Sequence, residues 1–342
     1  MDQPNSRTGS MLLKGCGAGC LALLALGTLF GVWAWMAAKD AIDQPSTPEE
    51  NQTARELPPI APPSPAAATD PNAPIPSAGE IVPAEATGRL ILDLSMGEFE
   101  IVPVAAGESL RVESRYDTSR FRLTESFDTD ADGRWTQRIT FGPKRKFLMG
   151  QVNAGENLVR VFVPAGHRID LEAEVSMGES RLDLSTLNLA RVDLELSMGD
   201  HRIQIDQPGP SPADSFLVDS KMGQMTIRGL GWASPATASF DHSMGELDLS
   251  LDGAWQRDGS IDLDATMGPI RLRVPEDVDL RLEATTVKIG ARNEDDRATP
   301  PPGAPILTVT SDVTMGELDV STVTRAPATE EPSAEIESPA PE

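Results

Sequence analysis

One short pattern, Met-Gly set between alternating apolar residues, returns again and again from Leu90 onward, and it constrains the fold more than any other feature. It reads LDLSMGEFEI at 92–101, AEVSMGESRL at 173–182, LELSMGDHRI at 194–203, VDSKMGQMTI at 218–227, FDHSMGELDL at 240–249, LDATMGPIRL at 263–272 and SDVTMGELDV at 311–320. Weaker copies surround Met149-Gly150 and the stretch ATTVKIG, where Val287 is read as standing in for Met. The period lies near 23 residues. That is too short for helix-pair repeats and suits one coil of a β-solenoid.

Within each copy the apolar residues show period two, the mark of a strand. They fall two and often four places before Met, as with Leu194 and Leu196 before Met198, and three and five places after it, as with Leu247 and Leu249 after Met244. The inward parity therefore flips at each Met-Gly. A straight strand cannot flip parity without turning its apolar face outward, so the chain must bend there, and Gly supplies the permissive backbone. The corners are Met96-Gly97, Met177-Gly178, Met198-Gly199, Met222-Gly223, Met244-Gly245, Met267-Gly268 and Met315-Gly316. The expected fold is all-β, a single-stranded right-handed β-helix or solenoid of ~23-residue coils, over residues 88–325. Nine copies at ~4.8 Å would make a stack roughly 40 Å long. The corner Met residues are expected to fill the interior as a flexible ladder, which outweighs a thioether row for Cu(I).

Around this domain the composition changes. Residues 15–38 carry no charge in 24 positions, enough for a helix to cross a bilayer with some tilt, and Trp33 and Trp35 suit its far interface. They follow a short N-terminal segment, 1–14, and are read as an uncleaved transmembrane helix rather than a signal peptide. Residues 39–87 are Pro-rich and are read as a disordered spacer, and 326–342 as a disordered acidic tail. The expected address is the bacterial inner membrane, single-pass, with the C-terminal domain periplasmic or extracellular. Cys16 and Cys20 are the only cysteines, so the rest folds without disulfides. The Gly15/Gly19 and Gly27/Gly31 spacings make a homo-oligomer conceivable.

Candidate chemistry is sparse. With 53 Asp and Glu against 29 Lys and Arg, the net charge of −24 excludes nucleic acid as a partner. The acids after the corner, Glu98, Glu179, Asp200, Glu246 and Glu317, form a broken carboxylate row read as a solvated edge. Asp128, Asp130, Asp132 and Gly133 open a D-x-D-x-D-G calcium loop, but Ile139 stands where its bidentate Glu belongs, so a hairpin turn is the better reading. His167, His201 and His242 sit at different phases of the repeat, with His201 at an inward position, so no shared metal site and no cofactor are expected. No hydrolase, metalloprotease or phosphate-loop motif is present.

The recurring S-M-G-[ED], LDLSMGEFEI with LRVE behind it, and IRLRVPEDVDLRLEATTVKIG resemble the bacterial "putative adhesin" or toastrack β-solenoid family, related to the C-terminal domain of cell-wall-active antibiotic response proteins. The resemblance spans about 88–325 and is poorest over 113–165. It implies a right-handed single-stranded β-helix, often membrane-tethered, in envelope or stress-responsive proteins, with no catalytic residues to carry over. The expected function is a non-enzymatic, membrane-anchored scaffold that presents strand edges and acidic surface to an envelope protein or the cell wall. The alternatives are a polysaccharide-active β-helix enzyme and a self-assembling cytoplasmic β-solenoid on the membrane.

Overall fold

The computed structural model describes residues 49–57, 86–144, 157–295 and 299–323. The expected membrane segment at 15–38, the Met149-Gly150 copy and the acidic tail lie outside them. Among the described residues no helix is long and apolar enough to cross a membrane.

The fold is all-β with a largely parallel sheet. Its strands are β1 (Glu49–Arg55), β2 (Gly88–Leu94), β3 (Gly97–Val104), β4 (Leu110–Tyr116), β5 (Phe121–Thr129), β6 (Trp135–Pro143), β7 (Leu158–Pro164), β8 (Arg168–Asp183), β9 (Asn188–Gln204) and β10 (Ser215–Arg228). After one helical turn, α1 (Leu230–Ala233), come β11 (Thr237–Ser250), β12 (Gly259–Met267), β13 (Ile270–Pro275), β14 (Asp279–Glu294) and β15 (Ile306–Val323).

Nine parallel layers stack in register. In order they are β6 with β7, β2 with β3, β8, β9, β10, β11, β12 with β13, β15 and β14. From β8 to β12 the layers follow chain order, but at each end the chain skips a layer and returns to fill it. β2 and β3 lie between β8 and the later β6 and β7, while β15 lies between β12–β13 and the earlier β14. Sequence order therefore gives the layers of the middle and not of the ends.

Most strands run unbroken through their Met-Gly pair. Gly178, Gly199, Gly223, Gly245, Gly268 and Gly290 take φ between 129° and 149°, a conformation that side chains rarely adopt. Each also touches its neighbour: a Cβ on Gly199 would lie 1.7 Å from the Gly178 carbonyl oxygen, and one on Gly268 equally close to that of Gly245. The corner glycines are thus a contact ladder as well as a bend. The strand does break between β12 and β13, where Pro269 has no N–H to offer.

The apolar parity makes continuous inward ladders. Leu92, Ala173, Leu194, Val218, Phe240 and Leu263 occupy one register in successive layers, all buried. Leu182, Ile203, Ile227, Leu249, Leu272 and Val320 occupy another beyond the corner. The first layers widen this interior with aromatic rings. Phe141 stacks on Phe121 at 5.5 Å and meets Tyr116 edge-on at 5.2 Å.

The two ends of the stack are finished by different means. At the N-terminal end antiparallel strands cover the parallel layers: β5 on β6, β4 on β7, and β1 on β4. β1 corrects the expectation of a spacer throughout 39–87. Its sequence EENQTAR is fully exposed and joins by backbone pairing, helped by a Thr53 hydroxyl donating to Glu125 at 2.7 Å and by Arg55 over the Phe127 ring. An apolar pattern cannot reveal such a strand. At the other end β14 carries Arg292 and Glu294 in register with Leu318 and Val320, so charges stand in the inward ladders. They pair with each other at 2.9 Å, and an irregularity between Glu283 and Thr286 further distorts the edge. Inward charges and bulges both oppose edge-to-edge association.

Candidate interaction surface

The corner methionines face out, not in. Met222, Met244, Met267 and Met315 are 46%, 44%, 39% and 36% exposed, while Met96, Met177 and Met198 are half-buried. This overturns the expected interior Met ladder. The bend that lets apolar residues return inward after Gly leaves the vertex itself on the surface, and inward packing falls to the residues two before and three after. Register makes these methionines one row: Met177, Met198, Met222, Met244, Met267 and Met315 lie side by side. At the outermost layer the partner of Met315 is Ile289, followed by Gly290 opposite Gly316. Ile289, not Val287, therefore occupies the Met position in ATTVKIG.

Three residues before each Met stands an acid, and these acids form a second row. Asp93, Glu174, Glu195, Asp219, Asp241, Asp264 and Asp312 fill one register position in seven consecutive layers, every one exposed. Among the described residues the row has one ion pair, Lys288 on Asp312 at 2.9 Å. Partial burial, then the charges of Asp262, Asp241 and Asp312, push the Asp264 carboxyl above its ordinary value. This unbroken row escaped the sequence reading, although its signal, [DE]-x-[STK]-M-G, is present in all seven clear copies.

The acids after Gly behave differently. Glu179 and Asp200 are paired with Arg181 and Arg202 at 3.2 and 2.7 Å, Arg181 also reaches Glu98, and Arg271 pairs with Glu246. Gln224 and Pro269 interrupt the row. The Met row is thus bordered on one side by a continuous acid row with a single ion pair among the described residues and on the other by a broken acid row largely paired with arginines.

The remaining candidates are structural. Asp130 is the cap of the β5–β6 hairpin turn, its Oδ1 accepting from the backbone N–H of Asp132 and Arg134 at 2.9 Å each. With Asp128 on β5 and Asp130 committed to the turn, the three aspartates do not converge on a cation. Among the described residues no group of three or more His, Cys, Asp and Glu is placed to hold a metal ion. His201 is buried at the inward register between Ser180 and Met225, its Nδ1 2.9 Å from the Ser180 hydroxyl, and burial lowers its pKa to about 4. Burial also pushes His242 down, and His167 lies beside Trp135, so the three imidazoles do not gather.

A cleft of about 630 Å³ opens beside Trp135, lined by Arg89, Asp170, Glu172, Arg191 and Asp214 among others. Burial raises the Asp170 carboxyl. Its neighbours are committed: Glu172 takes two hydrogen bonds from Arg89 at 2.8 and 2.7 Å, and Asp214 pairs with Arg168 at 3.1 Å. A glycosidase uses a carboxyl pair flanking its substrate, and two of this cleft's carboxylates, Glu172 and Asp214, are held by arginines.

No protein-family model matches the chain, and no curated protein matches it in sequence. Solved structures similar to it include three from bacteria. A "putative cell adhesion protein" from Clostridium sporogenes ATCC 15579 is 12% identical, covers 81% of this chain and 100% of its own, and superposes with a TM-score of 0.40. A "putative adhesin" from Bacteroides fragilis NCTC 9343 is 10% identical over 80% of this chain and 97% of its own, with a TM-score of 0.33. Another "putative adhesin", from Parabacteroides merdae ATCC 43184, is 11% identical over 80% and 96%, with a TM-score of 0.30.

Proposed function

We propose that the chain is a non-enzymatic, adhesin-like scaffold of the bacterial envelope, tethered by the uncharged stretch 15–38, with its domain on the periplasmic or extracellular side. In this reading the nine layers are coils of a right-handed single-stranded β-solenoid, and their function is to display one repeating surface to a cationic partner in the envelope or cell wall. The observation that carries it is the row Asp93, Glu174, Glu195, Asp219, Asp241, Asp264 and Asp312. Like charges directly side by side on neighbouring strands are destabilising, by around 1 kcal/mol per close pair in water. Folding alone gives no reason to place an acid there in every copy while the inward positions vary freely among Leu, Val, Phe, Ala and His. A polycationic ligand gives one, since it recovers the repulsion on binding.

The self-assembling alternative is opposed at the β14 end of the stack, where charges stand in the inward ladders. The glycan-enzyme alternative would need a proton-transferring carboxyl pair, and two of the Trp135 cleft's carboxylates, Glu172 and Asp214, are tied to arginines.

The test is cosedimentation of the detergent-solubilised full-length chain with beads carrying poly-L-lysine, a stand-in for a polycationic partner, in comparison with a variant carrying Asp219→Asn, Asp241→Asn and Asp264→Asn. The wild type is expected to sediment and to be released as salt rises, and the variant to stay in solution. Equal sedimentation of the two, or none by the wild type, contradicts the reading. Protease accessibility in intact and permeabilised cells tests the side of the membrane.

A further inference from the structure

The Met row raises a question that the acid rows do not answer. An exposed side chain gains little from being apolar, and where apolar bulk is the sole requirement the identity drifts: three places after each Met the residues are Phe99, Ser180, His201, Met225, Leu247, Ile270 and Leu318, all buried. At the exposed vertex the identity does not drift. Met is retained in every layer from Met96 to Met315, and beyond Met315 it gives way to Ile289, which is 64% exposed. What Met has and Leu, Ile or Val lacks is a polarizable thioether sulfur on a flexible stem, a soft ligand that selects soft metal ions such as Cu(I).

The register supplies the geometry. Neighbouring layers of a parallel sheet stand ~4.8 Å apart, so in-register Met residues start at a separation that two or three flexible side chains can close onto one ion. Met222, Met244, Met267 and Met315 form the most accessible run, in four consecutive layers. The acid row beside it, such as Asp241 three places before Met244, adds a field that concentrates cations without competing as a soft ligand.

We propose that the Met row is a binding strip for soft monovalent cations, Cu(I) or its redox-inert analogue Ag(I), with each ion held by thioethers from two or three adjacent layers. Binding involves no change of oxidation state, and it stands independently of the wall-binding role. Hard divalent cations such as Ca²⁺ are not ligands of choice for sulfur and leave the strip unchanged.

The test is a titration of the full-length chain in mild detergent with Ag(I), read through ¹³C-labelled Met methyl groups, in a C16S/C20S background that removes the two competing thiols. The expected result is saturable shifts of the Met222, Met244, Met267 and Met315 signals at about one ion per two or three methionines, with the buried Met225 signal fixed and Ca²⁺ without effect. The double substitution Met244→Leu with Met267→Leu, which keeps apolar bulk, is expected to weaken binding at least about tenfold while leaving the melting temperature in place. Absence of row shifts, equal movement of Met225, or undiminished binding by the Leu variant would overturn the proposal.

Discussion

Gly223 lies directly beside Gly199 in the neighbouring layer, so close that a Cβ on Gly223 would come within 1.9 Å of the Gly199 carbonyl oxygen. The same relationship links Gly199 to Gly178 and Gly245 to Gly223. The substitution Gly223→Ala therefore adds both a strained positive φ and a backbone clash at the centre of the stack. It is expected to destabilise the fold by at least ~3 kcal/mol, or to prevent folding, as read by denaturant unfolding. Gly107→Ala is the control: its φ is also positive, but its Cβ would meet nothing within 4 Å, so the cost should be limited to backbone strain of about 1–2 kcal/mol.

His201 makes stability depend on pH. Burial holds its folded-state pKa near 4 against an ordinary 6.5, so between those values the unfolded chain binds a proton that the fold excludes. Stability from this residue is complete above about pH 6.5, declines as pH falls towards 4, and levels off below it, a loss of about 3 kcal/mol. His242 is shifted in the same direction for the same reason. Urea unfolding across pH 4 to 7 should show the decline, and His201→Leu should flatten it. An unchanged slope in that variant would remove His201 as the cause.

The outer edge at β14 is protected by charge. Replacing Arg292 and Glu294 by Val would turn their inward positions apolar and leave a smooth unpaired edge. The double variant is expected to associate in a concentration-dependent way, visible in sedimentation velocity, under conditions where the wild type does not change with concentration.

The acid row costs stability for the sake of its surface. Asp264→Asn removes a carboxylate that stands between Asp241 and Asp312, and it should raise stability by up to about 1 kcal/mol. Added salt should raise the wild-type melting temperature more than that of the variant, because screening acts on the same repulsion.

Much of this architecture is legible in the sequence, because its rules are local. Alternation before and after Met-Gly fixes which residues point inward, and Leu196, Ile203 and Leu249 lie where period two puts them. Three features depend on what no single copy contains. The side chain of Met at a parity break can go either way, and only the path of the bend sends it outward. The order of layers at the two ends is set by return connections, so β15 can enter between β13 and β14 without any local signal. β1 joins by backbone hydrogen bonds and polar side-chain contacts, for which EENQTAR gives no apolar clue. The acid row three places before Met was readable in principle, since it needs no more than the aligned copies.

The most direct test of the outward Met face is the rate of methionine oxidation in the folded full-length chain under dilute hydrogen peroxide, read by peptide mass spectrometry. Met222 and Met225 are three residues apart in one strand, yet Met222 is 46% exposed and Met225 fully buried. Met222, Met244, Met267 and Met315 should oxidise rapidly and together, with Met225 protected until the chain unfolds. Protection of the four, or oxidation of Met225 as fast as Met222, would contradict the account.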